Sequence, residues 1–292
     1  MTADDNRNDS AASFASVGGD LGRTSAAMGK TLCKSQAASA GEVRPRSAPT
    51  GASTGLPFPL APVTVVTGHY GVGKTNFALN LALDAAAAGY RVTLSDMDVV
   101  NPYFRSNEYR DLLEEAGVRL IAPVFGHAGT SLDVPSVTGE LAVAAAEAYR
   151  DETGRTVVIV DAGGDDVGAT ALARFAPALA AGPYAMLYVV NAFRNLTQEP
   201  ADAVAVLREI EVKSHLAATA VVGNSHLQGE TALGHIVESV PYTQAVASMA
   251  GLPFACITAP IQAIQRENTG PCALDDIPNG YAVNVYVKPP WS

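Results

Sequence analysis

Val63-Thr-Val-Val-Thr67-Gly68-His-Tyr-Gly-Val-Gly73-Lys74-Thr75-Asn76-Phe77-Ala-Leu79-Asn-Leu81-Ala-Leu83 is the stretch on which the reading of this chain turns. It begins as a short β-branched run, passes through a glycine-spaced turn and continues into an apolar segment of helical length. Glycines in that spacing let the backbone curl until successive N–H groups and the helix N-terminus face a phosphate. Lys74 adds a point charge, and the Thr75 hydroxyl stands where it can ligate magnesium. Gly68, His69, Tyr70, Gly71, Val72, Gly73, Lys74, Thr75 and Asn76 are therefore the expected nucleotide-contacting set, with Lys74 also the residue that neutralises phosphate charge in catalysis. The competing reading is a glycine-rich turn ahead of a helix.

Outward from this loop, short β-branched runs alternate with Ala- and Leu-rich stretches of helical length, the pattern of βαβ units around a parallel sheet. Strands are expected at 63–67, 91–95, 118–122, 156–160, 184–190, 218–223 and 254–258, with 281–287 as a further edge strand. Helices are expected at 74–88, closed by Gly89, at 104–115 and at 139–150. The fold class is α/β, in three layers around a mostly parallel sheet of about seven strands. Residues 1–57 are Ser, Ala, Gly, Thr and Asn with scattered charge. Such a composition cannot bury enough surface to offset chain entropy and is expected to form a disordered, low-complexity extension. Gly29-Lys30-Thr31 within it is half of a second loop, but Thr24 stands where its first glycine would be needed. The nucleotide-binding domain is expected over 58–292.

The chain is acidic, with a formal net charge of -10, which argues against general affinity for nucleic acid or an anionic membrane surface. Cys33, Cys256 and Cys272 are odd in number and widely spaced, so neither a disulfide framework nor a thiolate metal site is indicated. Neither a signal peptide nor a run of about 18 apolar residues is visible. A cytoplasmic protein is expected.

A phosphate loop needs an acid for magnesium from another strand. Val157-Val-Ile-Val160-Asp161 brings one to the carboxyl edge of the sheet, and Asp161-Ala-Gly-Gly164 adds a glycine whose N–H can sense a terminal phosphate. Ser95-Asp96-Met97-Asp98 brings two more acids to the same edge. One of these can orient magnesium waters while the other positions the attacking water, their mutual repulsion relieved by the cation. Turn chemistry ahead of Asn101-Pro102 is the competing reading of the second pair.

At these residues the chain resembles the MinD/ParA-related (SIMIBI) branch of P-loop NTPases, over roughly Pro62 to Ala259. The spacing of Asp96 and Asp98 after Lys74 matches the branch. By that resemblance Thr75, Asp96 and Asp161 serve magnesium, and Asp98 positions water. Asp98-Val-Val-Asn-Pro-Tyr-Phe-Arg105 and Asp161-Ala-Gly-Gly-Asp-Asp166-Val-Gly168 are similar to uncharacterised bacterial CobQ/CobB/MinD/ParA-type proteins. MinD and ParA proteins carry a second lysine after the first loop glycine, reaching across an ATP-dependent homodimer; this chain has His69 there. Asn224, in Val221-Val-Gly-Asn224-Ser-His-Leu227, resembles the family's purine-contacting asparagine and also reads as a turn residue after a strand. The Lys and Asp of a guanine site are absent beside it, which favours ATP over GTP. Arg105 reads both as a charge-stabilising residue beside a switch and as a solvated charge. The 127–137 loop, with Asp133 and Pro135, carries no decodable chemistry.

The leading expectation is a magnesium-dependent ATPase acting as a slow conformational switch for a soluble protein partner. A metal-centre maturation GTPase is an alternative that usually shows Cys-rich or His-rich metal motifs, which this chain lacks. An iron–sulfur reductase of the nitrogenase type needs a cysteine in 165–180, where there is none. An ATP-dependent kinase or ligase for a small-molecule substrate is the other alternative, with Asp165, Asp166 and Arg174 near the second switch as its contacts or as ordinary helix-end charges.

Overall fold

The computed structural model describes residues 55–97, 107–121, 135–164, 166–227, 230–266 and 274–287. The expected extension at 1–57 therefore lies outside the described residues up to position 54.

The strands are β1 (Val63–Thr67), β2 (Arg91–Met97), β3 (Arg119–Ile121), β4 (Thr156–Ala162), β5 (Tyr184–Val190), β6 (Ala220–Gly223), β7 (Phe254–Pro260) and β8 (Gly280–Val283). They form one sheet in the order β3-β2-β4-β1-β5-β6-β7-β8, and every pairing is parallel. The expected edge strand thus takes its place as the eighth, beside β7. β1 is buried at every position, as a strand covered on both faces must be, and its unbroken β-branched run is the sequence form of that burial. Three strands run further than expected, β7 by two residues to Pro260. β2 reaches Met97 and β4 reaches Ala162, so Asp96 and Asp161 lie inside the ladder and are direct Cα partners.

Helices α1 (Lys74–Ala87), α2 (Asn107–Glu115), α3 (Pro135–Arg150), α4 (Asp166–Ala173), α5 (Ala176–Leu179), α6 (Pro200–Ser214), α7 (Leu233–Ala250) and α8 (Ile261–Arg266) connect the strands. α1 and α2 bury Phe77, Leu81, Ala85 and Leu113 against one face of the sheet. α3 to α7 bury Leu141, Leu172, Leu179, Leu207 and Val246 against the other. A third cluster joins the start of α7 to β7 through Leu233, Ile236 and Ile257. These are the three expected layers. α3 starts at Pro135, earlier than the expected 139, because a proline fits the first turn, where its missing N–H has no intrahelical partner.

Chain order and strand order part company at β1. From β1 the chain skips to β2 and fills β4 between them, then crosses β1 to lay β5 on its far side. The loop after β1 stands at this topological switch point, where α/β sheets open a crevice at the carboxyl ends of their strands. β4 and β5 flank it, and their following loops form its two walls.

Candidate nucleotide site

The loop Gly68–Gly73 ends in the left-handed turn at Gly73, φ 87°, which also serves as the N-cap of α1. A Cβ at Gly73 would stand 2.3 Å from Asn224 Nδ2, so both backbone conformation and space demand glycine. Lys74, 5% exposed, donates from Nζ to the His69 carbonyl at 3.3 Å and so bends back over the loop. Burial, and then the Lys74 charge, hold the His69 pKa below its usual 6.5. His69 is neutral near pH 7 and adds no second cation to the loop. Val72 is buried and carries the loop's apolar contact with α1, whereas Tyr70 projects with 61% of its surface exposed.

On the β4 side the site is acidic. Asp96 and Asp161 share the sheet face that packs on α1, in register with Val66 of β1. Asp161 is 3% exposed and Asp96 half-buried. Just beyond, the backbone of Gly164 presses on the loop: a Cβ there would fall 1.6 Å from the Gly68 carbonyl oxygen. The expected switch glycine thus touches the loop directly, and no side chain fits between them. Among the described residues no group of three or more His, Cys, Asp or Glu forms a metal site. Magnesium asks for less, a carboxylate or two with water and phosphate oxygens completing the shell. Asp96, Asp161 and the Thr75 hydroxyl, one residue after Lys74, fit that requirement. Asp98, Arg105, Asp133 and Asp165 lie outside the described residues. Arg174 is exposed on the turn between α4 and α5.

On the β5 and β6 side the site is built from amides and bases. Asn224 follows β6 and is buried; its Nδ2 donates to the Val72 carbonyl at 2.7 Å, and its Oδ1 accepts from the Thr258 hydroxyl. It therefore braces the phosphate loop. A register shift between β6 and β7 at Val221/Val222 precedes it and re-aims the strand end. His226 lies with Nε2 3.1 Å from the Cβ position of Gly73. Burial, and then Arg194, push its pKa down to about 4.

Sequence reasoning did not find Arg194, which enters this wall from the loop after β5. It also treated Asn76 as part of the phosphate-contacting set. The Asn76 side chain instead donates to the Asn284 carbonyl at 2.9 Å and accepts from Tyr286 N–H at 2.8 Å. With Asn80, which bonds Asn284 through both amide atoms, it ties the segment after β8 along α1. No local signal marked this, since the partners are far apart in the chain.

The profile of the CobQ/CobB/MinD/ParA nucleotide binding domain matches residues 63–249. No curated protein matches the chain. Solved structures similar to it include the 54 kDa signal recognition particle protein from Aeropyrum pernix in complex with GDP, at 18% identity and TM-score 0.46, covering 67% of this chain and 40% of that one. The signal recognition particle receptor FtsY from Elizabethkingia anophelis, in complex with GDP, is 18% identical at TM-score 0.44, covering 79% of this chain and 63% of that one. FtsY from Mycoplasma mycoides is 16% identical at TM-score 0.43, covering 68% and 60%. The chain spans less than two thirds of the length of each.

Proposed function

The chain belongs to the CobQ/CobB/MinD/ParA nucleotide-binding domain family, a branch of the SIMIBI P-loop NTPases, and from that premise we propose that it binds ATP with magnesium and hydrolyses it slowly as a conformational switch for a soluble partner. The observation that carries this reading is the side-by-side pair Asp96 and Asp161 on the face of the phosphate loop. Two carboxylates on neighbouring strands, one of them buried, are mutually repulsive, and a divalent cation offsets that cost.

Thr75, Asp96 and Asp161 are the residues that would hold magnesium, which when bound supplies a Lewis acid that draws charge from phosphate oxygens. Loop N–H groups and Lys74 hold the remaining phosphate charge. Asp98 is the proposed water-positioning acid: the water oxygen forms its bond to the terminal phosphorus as the bond to the bridging oxygen breaks, and the water proton leaves through the acid. Gly164, in contact with Gly68, couples the loop to α4, and this contact supports a switch role. ATP is preferred because Leu227, an apolar residue, stands where a guanine-reading acid would be needed.

Titration calorimetry with ATP and GTP, each in magnesium and in EDTA, tests the reading. ATP in magnesium is expected to bind tightest, and Lys74→Ala to weaken it at least tenfold, roughly the value of one charge-assisted contact. Tighter GTP would overturn the ATP assignment, and unchanged binding by Lys74→Ala would remove the phosphate-loop reading itself. Light scattering in MgATP and then MgADP reports the switch: a mass that doubles with ATP alone supports a homodimer despite His69, and a constant mass moves the weight to a kinase or ligase.

A further inference from the structure

The loop that joins β5 to α6 belongs to none of the nucleotide motifs, yet it concentrates buried polar atoms that have no hydrogen-bond partner. Asn191 is fully buried; its Oδ1 accepts the Phe193 N–H at 2.9 Å while its Nδ2 has no partner. Thr197 Oγ1 and Arg194 Nε are in the same condition. Native proteins keep very few such atoms, and a cluster of them calls for an explanation, because each has lost its water without gaining a partner.

Arg194 is the informative member. Its Cζ lies 3.4 Å, and its Nε and one terminal nitrogen 3.6 Å, from the point where a Cβ on Gly71 would stand. The guanidinium is therefore packed on the crest of the phosphate loop. Among the described residues the ion pairs are Arg91 with Asp151, Arg119 with Glu140 and Arg208 with Glu211, and none involves Arg194. Its titratable neighbour on this wall is His226, kept neutral by burial and by Arg194 itself. The loop is held firmly: the Tyr242 hydroxyl donates to the Thr197 carbonyl, and the Tyr188 hydroxyl donates to Ala203 at 2.7 Å at the start of α6. A half-buried guanidinium without a carboxylate partner among the described residues, fixed beside an anion-binding loop, has the planar fork that suits paired phosphate oxygens and the flat face that lies on a purine.

The side on which it stands limits its role. Asp96, Asp161 and Gly164 occupy the β4 wall, where the terminal phosphate and magnesium belong, and Arg194 stands on the β5 wall with Asn224 and His226. We propose that Arg194 is a nucleotide-binding residue whose guanidinium holds the nucleoside-diphosphate part of the ligand against Gly71, so that it contributes equally to nucleotides with and without a terminal phosphate. This rests on the nucleotide-binding reading above and deepens it.

The test is calorimetry of the full chain with ADP and with the β,γ-imido analogue of ATP, on wild type, Arg194→Met and Arg194→Lys. Methionine keeps the apolar stem on Gly71 and removes the charge; lysine keeps the charge. Arg194→Met should weaken both ligands about tenfold and leave their ratio unchanged, while Arg194→Lys recovers most of the loss. Unchanged affinity of the Met variant for both ligands, or a loss confined to the triphosphate, overturns the proposal. Thermal melting is read for each variant; if the Met variant does not fold, Arg194→Gln takes its place under the same two outcomes. A wild-type chain that binds neither ligand overturns the nucleotide reading as well, whereas a wild type that binds both, beside an unaffected variant, sinks the Arg194 assignment alone.

Discussion

The two walls of the phosphate loop are made of opposite chemistry and were unequally visible. The β2/β4 wall is acidic and carries Asp96 and Asp161 as Cα partners. The β5/β6 wall carries Arg194, Asn224 and His226, packed on Gly71 and Gly73. On the proposed reading, this sorting of charge would put the cation-holding groups on one side of a bound nucleotide and the anion- and base-holding groups on the other. The contrast also shows what each wall needs in order to work. Acids paired across neighbouring strands need a cation to offset their repulsion, while an amide that braces the loop has to be buried and hydrogen-bonded.

That contrast can be tested, and the largest effect is expected from pH. His226 titrates at about 6.5 when unfolded and about 4 in the folded protein. Its folded pKa is depressed, so its contribution is fully present above pH 6.5 and is lost as pH falls toward 4, up to about 3 kcal/mol. The melting temperature should fall through this window, and His226→Gln should flatten the profile; equal slopes in the two proteins would place the acid sensitivity elsewhere.

A somewhat smaller effect is expected on the acidic wall. Asp161→Asn keeps the shape and removes the charge, and should bring ATP affinity in magnesium down to the level measured in EDTA, a loss of about tenfold to a hundredfold. A variant that keeps its magnesium dependence would show that Asp161 is not a cation-holding residue. The smallest effect concerns Asn224. Asn224→Ala removes the bonds to Val72 and Thr258 and should cost about 1–2 kcal/mol in urea unfolding, with ATP and ADP weakened together. Loss of nucleotide affinity at unchanged stability would make Asn224 a base-reading residue rather than a brace of the loop.

Much of the fold was legible locally. β1 and β5 run over the residues their β-branched patterns indicate, and α1 ends one residue short of the expected boundary, just ahead of the left-handed Gly89. The ends of β2 and β4 were read short because Asp96 and Asp161 interrupt apolar runs, and a buried acid is a poor strand signal until its neighbour is known. Asn76 was read as a loop residue because it follows Thr75. Its side chain is claimed by Asn284 and Tyr286, whose approach depends on β8 pairing with β7.

By itself the sequence determined the α/β class, the phosphate loop with Lys74 and Thr75, and the acids that follow β-branched runs, because each of these is a local pattern with a local physical cause. The tertiary structure alone decided that Asp96 and Asp161 stand side by side, that Gly164 abuts Gly68, that Asn224 holds Val72, and that Arg194 rests on Gly71. These contacts follow from the order of strands about β1, which is set by how whole faces of the sheet are covered by helices, and no short stretch of residues carries that information.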